Sequence, residues 1–174
     1  MKTKFLIAVF ALTALSIAFA KIYSDKKAMA APPPAIVIDN DEMKGWSDAS
    51  KIAMNMMIRK YGQPEEQTAT MAMWKNNGPW KKTVIYAKEF KHDFLMPHTD
   101  VMQQWVDYKV PPEKFDELAM FDGSVVCNRT TGEISARCDK EEANFLALNL
   151  ANDIVKDNKD VNAARNEYAK AIKW

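Results

Sequence analysis

Hydrophobic positions repeat with helical spacing in four segments of this chain. The first segment runs from about Ser47 to Tyr61, where Ser47 or Asp48 supplies the N-cap and Gly62 the left-handed residue after the last turn. Apolar residues three and four positions apart predict one buried face, which is typical of an amphipathic helix. That face consists of Ala49, Ile52, Ala53, Met56 and Met57, with Met54 also assigned to the core.

Three further helices are predicted downstream. Pro111 and Pro112 begin a short helix that ends at Gly123, because proline is tolerated in a first turn. Asp139 is the predicted N-cap of a long helix, with Glu142 at the capping-box position. A final helix covers about residues 161–172. The residues predicted to be buried on these helices are Phe115, Leu118 and Ala119, then Ala143, Phe145, Leu146, Ala147, Leu148, Leu150, Ala151, Ile154 and Val155, and finally Val161, Ala164, Tyr168 and Ile172.

A β-hairpin is predicted where two β-prone runs, residues 68–75 and 80–90, flank an Asn-Gly turn signal. Pro79 follows Gly78 and has no N–H to donate to a strand ladder. The loop is therefore expected to be longer than two residues.

A second hairpin is predicted from residues 124–128 and 133–138, which flank a turn that contains Gly132. Alternating side chains over residues 101–110 add a separate strand. Helices and hairpins follow one another without a β-α-β rhythm. The predicted fold class is therefore α+β, with helices packed on a small antiparallel sheet built from two hairpins.

The first twenty residues have the features of a secretory signal peptide. Lys2 and Lys4 precede an apolar run from Phe5 to Ala20, which ends in small residues at the positions that a signal peptidase reads. Cleavage after Ala20 is expected, with Ala30 as a second site. The alternative is an uncleaved membrane anchor, although this run is shorter than the about 20 residues that span a bilayer.

A proline-rich tether is predicted between the signal peptide and the folded part of the chain. Pro32, Pro33 and Pro34 favour an extended backbone, and acidic residues follow them. The predicted organisation is a signal peptide over residues 1–20, a tether over residues 21–45 and a single α+β domain over residues 46–174. The expected location is the periplasm or the outside of the cell.

Charge and composition exclude several classes of protein. The chain of 174 residues has 24 Lys and Arg against 23 Asp and Glu, a net charge of +1, which argues against a nucleic-acid partner. Two Cys and two His exclude a Cys-rich zinc module. Phosphate-binding glycine loops, zincin helices and nucleophile elbows are missing from the sequence. The sequence thus favours a non-enzymatic protein without a cofactor, which contacts a membrane only through its N-terminal segment.

The two cysteines leave two alternatives open. Cys127 and Cys138 flank the predicted turn of the second hairpin in a chain expected to be exported, which favours a disulfide. However, a two-residue turn at Thr131 and Gly132 pairs Cys127 with Ala136, so that the cysteines lie diagonally rather than opposite each other. The alternative is a pair of buried thiols.

The histidines lie in one short segment that is expected to form a loop. His92 is followed by Asp93, and His98 lies between Met96 and Asp100. Imidazole and thioether groups together are typical of copper sites. Because the two histidines have different neighbours and the methionines elsewhere fit core positions, the sequence predicts no metal site.

Tryptophan and lysine residues at the first hairpin are the candidates for contact with a protein partner. Trp74 and Trp80 bracket the turn, with Lys81 and Lys82 beside them, and aromatic and cationic residues are enriched in protein interfaces. The alternative is that one ring packs across the sheet and the other covers the turn.

Two resemblances follow from longer stretches of sequence. Tyr61-Gly62-Gln63-Pro64-Glu65-Glu66 resembles the helix–G-x-P–strand junction of β-lactamase-inhibitor-like proteins and envelope assembly lipoproteins, over about residues 47–90, although the lipoprotein cysteine is missing. Residues 61–150, with NNGPWKKT, FDGSVV and GEISARCDKEEANFLALNLA, resemble a family of uncharacterised exported bacterial proteins. The second resemblance implies a bacterial source, and neither supplies functional residues.

Three functional hypotheses are consistent with these observations. The first is an exported periplasmic or envelope domain that acts through protein contacts. The second is a periplasmic protein that binds copper or another metal. The third is a hydrolase whose active site cannot be identified from the sequence.

Overall fold

The computed structural model describes residues 43–172. The predicted signal peptide and residues 21–42 of the predicted tether lie outside this range. The described residues form a six-stranded antiparallel sheet and four α-helices, which confirms the α+β class. The helices are α1 (Asp48–Tyr61), α2 (Phe115–Phe121, after a 3-10 turn at Pro112–Lys114), α3 (Glu141–Val155) and α4 (Val161–Ala171). The strands are β1 (Glu66–Gln67), β2 (Met71–Asn77), β3 (Trp80–Phe94), β4 (Met96–Asp107), β5 (Val126–Asn128) and β6 (Glu133–Cys138), in the order β1-β2-β3-β4-β6-β5.

Helix α1 begins and ends where the sequence predicts, but it buries only part of the predicted face. The Ser47 hydroxyl accepts the backbone N–H of Ser50 at 3.1 Å, and Gly62 follows the helix with φ +82°. Ile52 and Met56 are 59% and 44% exposed, so the predicted face is wrong at these two positions. The residues that α1 buries are Ser50, Ala53, Met54, Asn55 and Met57.

A β-bulge in β3 explains the orientation of α1. The pairing of β3 with β4 shifts register between Ile85 and Phe90. The Ser50 hydroxyl donates a hydrogen bond of 2.7 Å to the carbonyl of Tyr86, and the Ser47 N–H donates one of 3.0 Å to the carbonyl of Ala87. These two hydrogen bonds hold the side of α1 that carries Ser50 against this part of β3.

The loop of the first hairpin has two residues, so the predicted longer loop is wrong. Asn77 pairs with Trp80, and Gly78 and Pro79 form the connection. Gly78 has φ +65°, which suits the first position of a tight hairpin loop. Pro79 fits the second position because its N–H is not required by the ladder there.

Strand β4 begins five residues before the predicted strand and removes the predicted loop around the histidines. Phe94 pairs with Met96, and Leu95 alone connects the two strands with φ +61°. Residues 90–94 of β3 and 96–100 of β4 therefore form the end of a β3–β4 hairpin, beyond the bulge in β3. This end of the hairpin is called the distal arm below.

The helices α1 and α3 pack on the same face of the sheet. Trp74, Ile85 and Met102 are buried there against α1, and the Asn144 amide of α3 donates to the Met102 carbonyl at 3.2 Å and to the Gln104 side chain at 3.0 Å. Helix α3 also contacts α2 and α4, which confirms its predicted central position.

The ends of the predicted elements differ in two places. Lys140, not Asp139, precedes the first residue of α3, and its side chain makes no capping hydrogen bond, so the predicted capping box is wrong. Met43 is fully buried and packs with Trp46 in the core. The folded domain therefore includes residue 43, three positions before the predicted boundary. Within residues 43–172, none of the helices has the length and hydropathy that crossing a bilayer requires.

Candidate metal centre

The distal arm brings both histidines and one aspartate onto the same face of the hairpin. His92 pairs directly with His98, and Phe90 pairs directly with Asp100. Directly opposed residues share a face, and so do residues two positions apart on one strand. His92, His98 and Asp100 therefore form one group, called the His–His–Asp cluster below.

The cluster is buried beside Phe94, whose ring packs on aromatic rings from two helices. The side chain of Asp100 is 1% exposed, and those of His98 and His92 are 8% and 15% exposed. The Phe94 ring stacks on His92 with a centroid separation of 5.6 Å, and it meets the rings of Phe121 in α2 and Tyr168 in α4. The distal arm is thus held against α2 and α4 by apolar packing.

The donor atoms of the cluster converge on a small volume. His92 Nδ1 lies 3.2 Å from Asp100 Oδ2, and His98 Nε2 lies 3.3 Å from Asp100 Oδ1. One ligand atom from each residue can be chosen so that all three lie within 4.8 Å of one another. Metal–ligand bonds of about 2.0–2.2 Å place adjacent ligands of a tetrahedral zinc ion about 3.3–3.5 Å apart. The two histidine–carboxylate distances, each to a different oxygen of Asp100, are therefore close to the ligand separations of a zinc site.

The outer nitrogen of each imidazole faces an acceptor. His98 Nδ1 lies 2.9 Å from the carbonyl oxygen of Met96, which can only accept, so Nδ1 carries the proton and Nε2 faces Asp100. His92 Nε2 lies 3.2 Å from Asp122 Oδ1, which also accepts the N–H of Ser124 at 2.8 Å. Carbonyl and carboxylate acceptors of this kind orient the imidazoles of metal sites.

Asp100 is a buried carboxylate that faces both imidazoles at 3.2–3.3 Å. Among the described residues, neither of its oxygens accepts a hydrogen bond of good geometry. A buried charge without such partners is costly, so a cation must compensate it. Two side chains can supply this charge: protonated His92, whose Nδ1 lies 3.2 Å from Asp100 Oδ2, and Arg137, whose Nε lies 3.6 Å from the same oxygen.

The two carboxylates beside His92 change its acid–base behaviour. Interaction with Asp100 and then with Asp122 raises the pKa of His92 to about 9, against the effect of burial. Both carboxylates stabilise the imidazolium, and either would equally attract a metal ion. A divalent ion and a proton thus compete for the same nitrogen.

The cysteines are free thiols in the structure, so the disulfide favoured by the sequence is not formed. Cys127 pairs with Ile134, and Cys138 lies four residues further along β6. At about 3.3 Å per residue this separation is about 13 Å, whereas bonded cysteines need Cα atoms within about 7 Å. The turn has four residues rather than two, and this length sets the register. Burial raises the pKa of Cys127 to about 11 and that of Cys138 to about 12.

The tryptophans assigned to partner contact lie in the core instead. Trp74 and Trp80 are each 1% exposed, so their interpretation as contact residues is wrong. Lys81 forms ion pairs of 2.7 Å with Asp107 and with Glu133. Lys82 lies 4.1 Å above the Trp105 ring. The rings of Trp74 and Trp80 are buried because the hairpin of β2 and β3 lies within the sheet that the helices cover.

The sequence shows both histidines but does not indicate the residues that complete their surroundings. Asp122 follows α2, and Arg137 lies on β6 opposite Gln103. The spacing His98-x-Asp100 was the available signal, because on a strand it places both side chains on one face. This signal applies only if residues 96–100 form a strand, as they do in β4.

Comparison with known proteins gave no match from family models, curated proteins or solved structures.

Proposed function

We propose that this protein is an exported domain that binds one divalent transition-metal ion of the zinc type through His92, His98 and Asp100. The observation that carries the proposal is the orientation of the two imidazoles. Their outer nitrogens face a carbonyl and a carboxylate, while their inner nitrogens face one buried carboxylate. A metal ion between these three groups would satisfy all of them.

The donor set favours zinc-type ions over the other classes of metal. Two imidazole nitrogens and one carboxylate oxygen suit Zn²⁺ and also Cu²⁺, which binds such sites more tightly. Ca²⁺ and Mg²⁺ prefer sites made entirely of oxygen ligands. Cu⁺ prefers soft sulfur ligands, and burial keeps the Cys138 thiol protonated by raising its pKa to about 12.

Zinc titration of the metal-free protein tests this proposal. We expect one Zn²⁺ per chain with a Kd of about 1 µM or tighter by calorimetry. Asp100→Asn and His98→Ala should each weaken binding at least about 100-fold, because each removes a ligand. Asp122→Asn, which leaves all three ligands in place and changes the partner of His92 Nε2, should weaken it about 10–100-fold.

The matched control is Asp93→Asn. Asp93 is exposed and adjacent to His92, so this change removes the same charge from the same hairpin without touching the cluster. Circular dichroism must show that all variants are folded. Wild-type binding weaker than about 100 µM would refute the proposal. So would an equal loss of affinity in the Asp93 and Asp100 variants, because the effect would then be general electrostatics.

Export is supported by the charged start, the apolar run and the small residues of the first twenty positions. We expect the protein recovered from the cell envelope to lack residues 1–20. Intact-mass measurement decides this point: a mass that includes these residues contradicts cleavage, and recovery in the cytoplasm contradicts export. The hypothesis of protein contacts stays a prediction, without the two tryptophans on which it rested.

A further inference from the structure

Arg137 occupies an unusual position at the edge of the His–His–Asp cluster. Its side chain is 30% exposed, whereas Asp100 beside it is 1% exposed. The guanidinium carbon lies 4.4 Å over the Phe90 ring, which holds the side chain in place. Its Nε is buried and has no hydrogen-bond partner among the described residues. Arg137 is therefore a partly exposed cation at the edge of an otherwise buried cluster.

Metal binding would change the charge that faces the Arg137 guanidinium. A divalent ion takes over the charge of Asp100, which the guanidinium neutralises only partly at a distance of 3.6 Å. With neutral imidazoles, one divalent ion, two carboxylates and one guanidinium, the loaded cluster carries a net positive charge. Three protein ligands also leave at least one position of a four-coordinate ion open. Both facts favour an anionic ligand at this site.

We propose that the metal-loaded cluster binds a phosphate group, with one oxygen on the open coordination position and others on the Arg137 guanidinium. This inference rests on the proposed metal site. Arginine binds phosphate through two parallel N–H donors, and a phosphate has enough oxygens to contact the ion and the guanidinium together. We infer access from the side of Arg137, which is 30% exposed, because Phe94 packs on Phe121 and Tyr168 on the side toward α2 and α4.

Cobalt-substituted protein provides the test, since the visible spectrum of Co²⁺ responds to a new ligand. The full chain is loaded with Co²⁺, freed of excess metal and titrated with inorganic phosphate. We expect a spectral change that saturates below about 1 mM phosphate, and no phosphate binding to the metal-free protein. A parallel titration with glycerol phosphate distinguishes free phosphate from a phosphate ester as the preferred ligand.

Arg137→Gln should move the two affinities in different directions. Phosphate binding should weaken at least about tenfold, while Co²⁺ binding is unchanged or tighter because a positive charge has been removed. A purely structural role would weaken both. Arg137→Lys keeps the positive charge but lacks the two parallel N–H donors of the guanidinium. Its phosphate affinity should therefore lie between those of the wild-type and Arg137→Gln proteins. Arg129→Gln is the control, because Arg129 is exposed in the turn between β5 and β6.

The outcomes separate the two proposals. Protein that takes up Co²⁺ but shows no spectral change with phosphate overturns the anion site and leaves the metal site standing. Equal phosphate affinity in the Arg137→Gln and wild-type proteins also overturns it. Failure of the wild-type protein to take up Co²⁺ overturns the metal site and the anion site with it.

Discussion

Replacing Leu150 by alanine should lower the free energy of unfolding by about 2–5 kcal/mol. Leu150 is 2% exposed in the middle of α3, the helix that packs against β4 and β6 on one side and against α2 and α4 on the other. The change removes buried apolar contacts and leaves a cavity that neighbouring elements on several sides prevent from collapsing. For a domain with a total stability of about 5–15 kcal/mol, this is a large loss.

The matched control for Leu150 is its neighbour on the same helix. Asn149 is only half-buried, so Asn149→Ala should change the free energy of unfolding by less than about 1 kcal/mol. Urea denaturation of the wild-type protein and both variants measures the two effects. The buried face of α3 is wrongly assigned if Leu150→Ala keeps the wild-type denaturation midpoint while Asn149→Ala unfolds at a lower urea concentration.

Replacing Glu141 by alanine should destabilise the protein by about 2–4 kcal/mol. This carboxylate is 4% exposed and accepts hydrogen bonds from Trp80 Nε1 at 2.7 Å, from the Tyr61 hydroxyl at 2.6 Å and from Lys60. It therefore ties α1, the first hairpin and α3 together. Without it, the buried Trp80 N–H and the Tyr61 hydroxyl lose their acceptor, and each unsatisfied group costs about 1–3 kcal/mol. Lys60 remains partly exposed, so its ammonium group can be solvated and adds little.

Glu142→Ala provides the comparison for Glu141. Glu142 is exposed one position further along α3, and its loss should change the free energy of unfolding by about 0.5 kcal/mol or less. Thermal denaturation monitored by circular dichroism is sufficient, since the expected effect of Glu141→Ala corresponds to several degrees in Tm. Equal midpoints for the two variants would mean that the three hydrogen bonds to Glu141 contribute no net stability.

Several elements were correctly predicted because their signals lie within a few residues of the chain. The Ser47 cap and the Gly62 stop define α1 by local backbone chemistry. The two hairpins follow from turn residues between β-prone runs. The apolar face of α3 is wide enough that Ala143, Leu150 and Ile154 are buried whichever neighbour covers them.

The candidate site was only partly predictable. His92, His98 and Asp100 were visible as residue types, but the segment between residues 91 and 100 was expected to be a loop. These three side chains meet because the pairing of β3 with β4 shifts register between Ile85 and Phe90. The shift lies at the bulge to which α1 is hydrogen-bonded. Asp122 and Arg137 come from other parts of the chain and reach the cluster only through the fold.

The α+β class, the order of helices and hairpins and most of the apolar core follow from the amino-acid sequence, because they depend on local conformational preferences and hydrophobic spacing. Long-range packing sets which residues of α1 are buried, places Trp74 and Trp80 inside, and holds Cys127 and Cys138 too far apart to bond. It also brought His92 and His98 to one carboxylate. The physical reason is that strand register and helix docking depend on contacts between distant residues, and a one-residue slip in register moves every side chain to the opposite face.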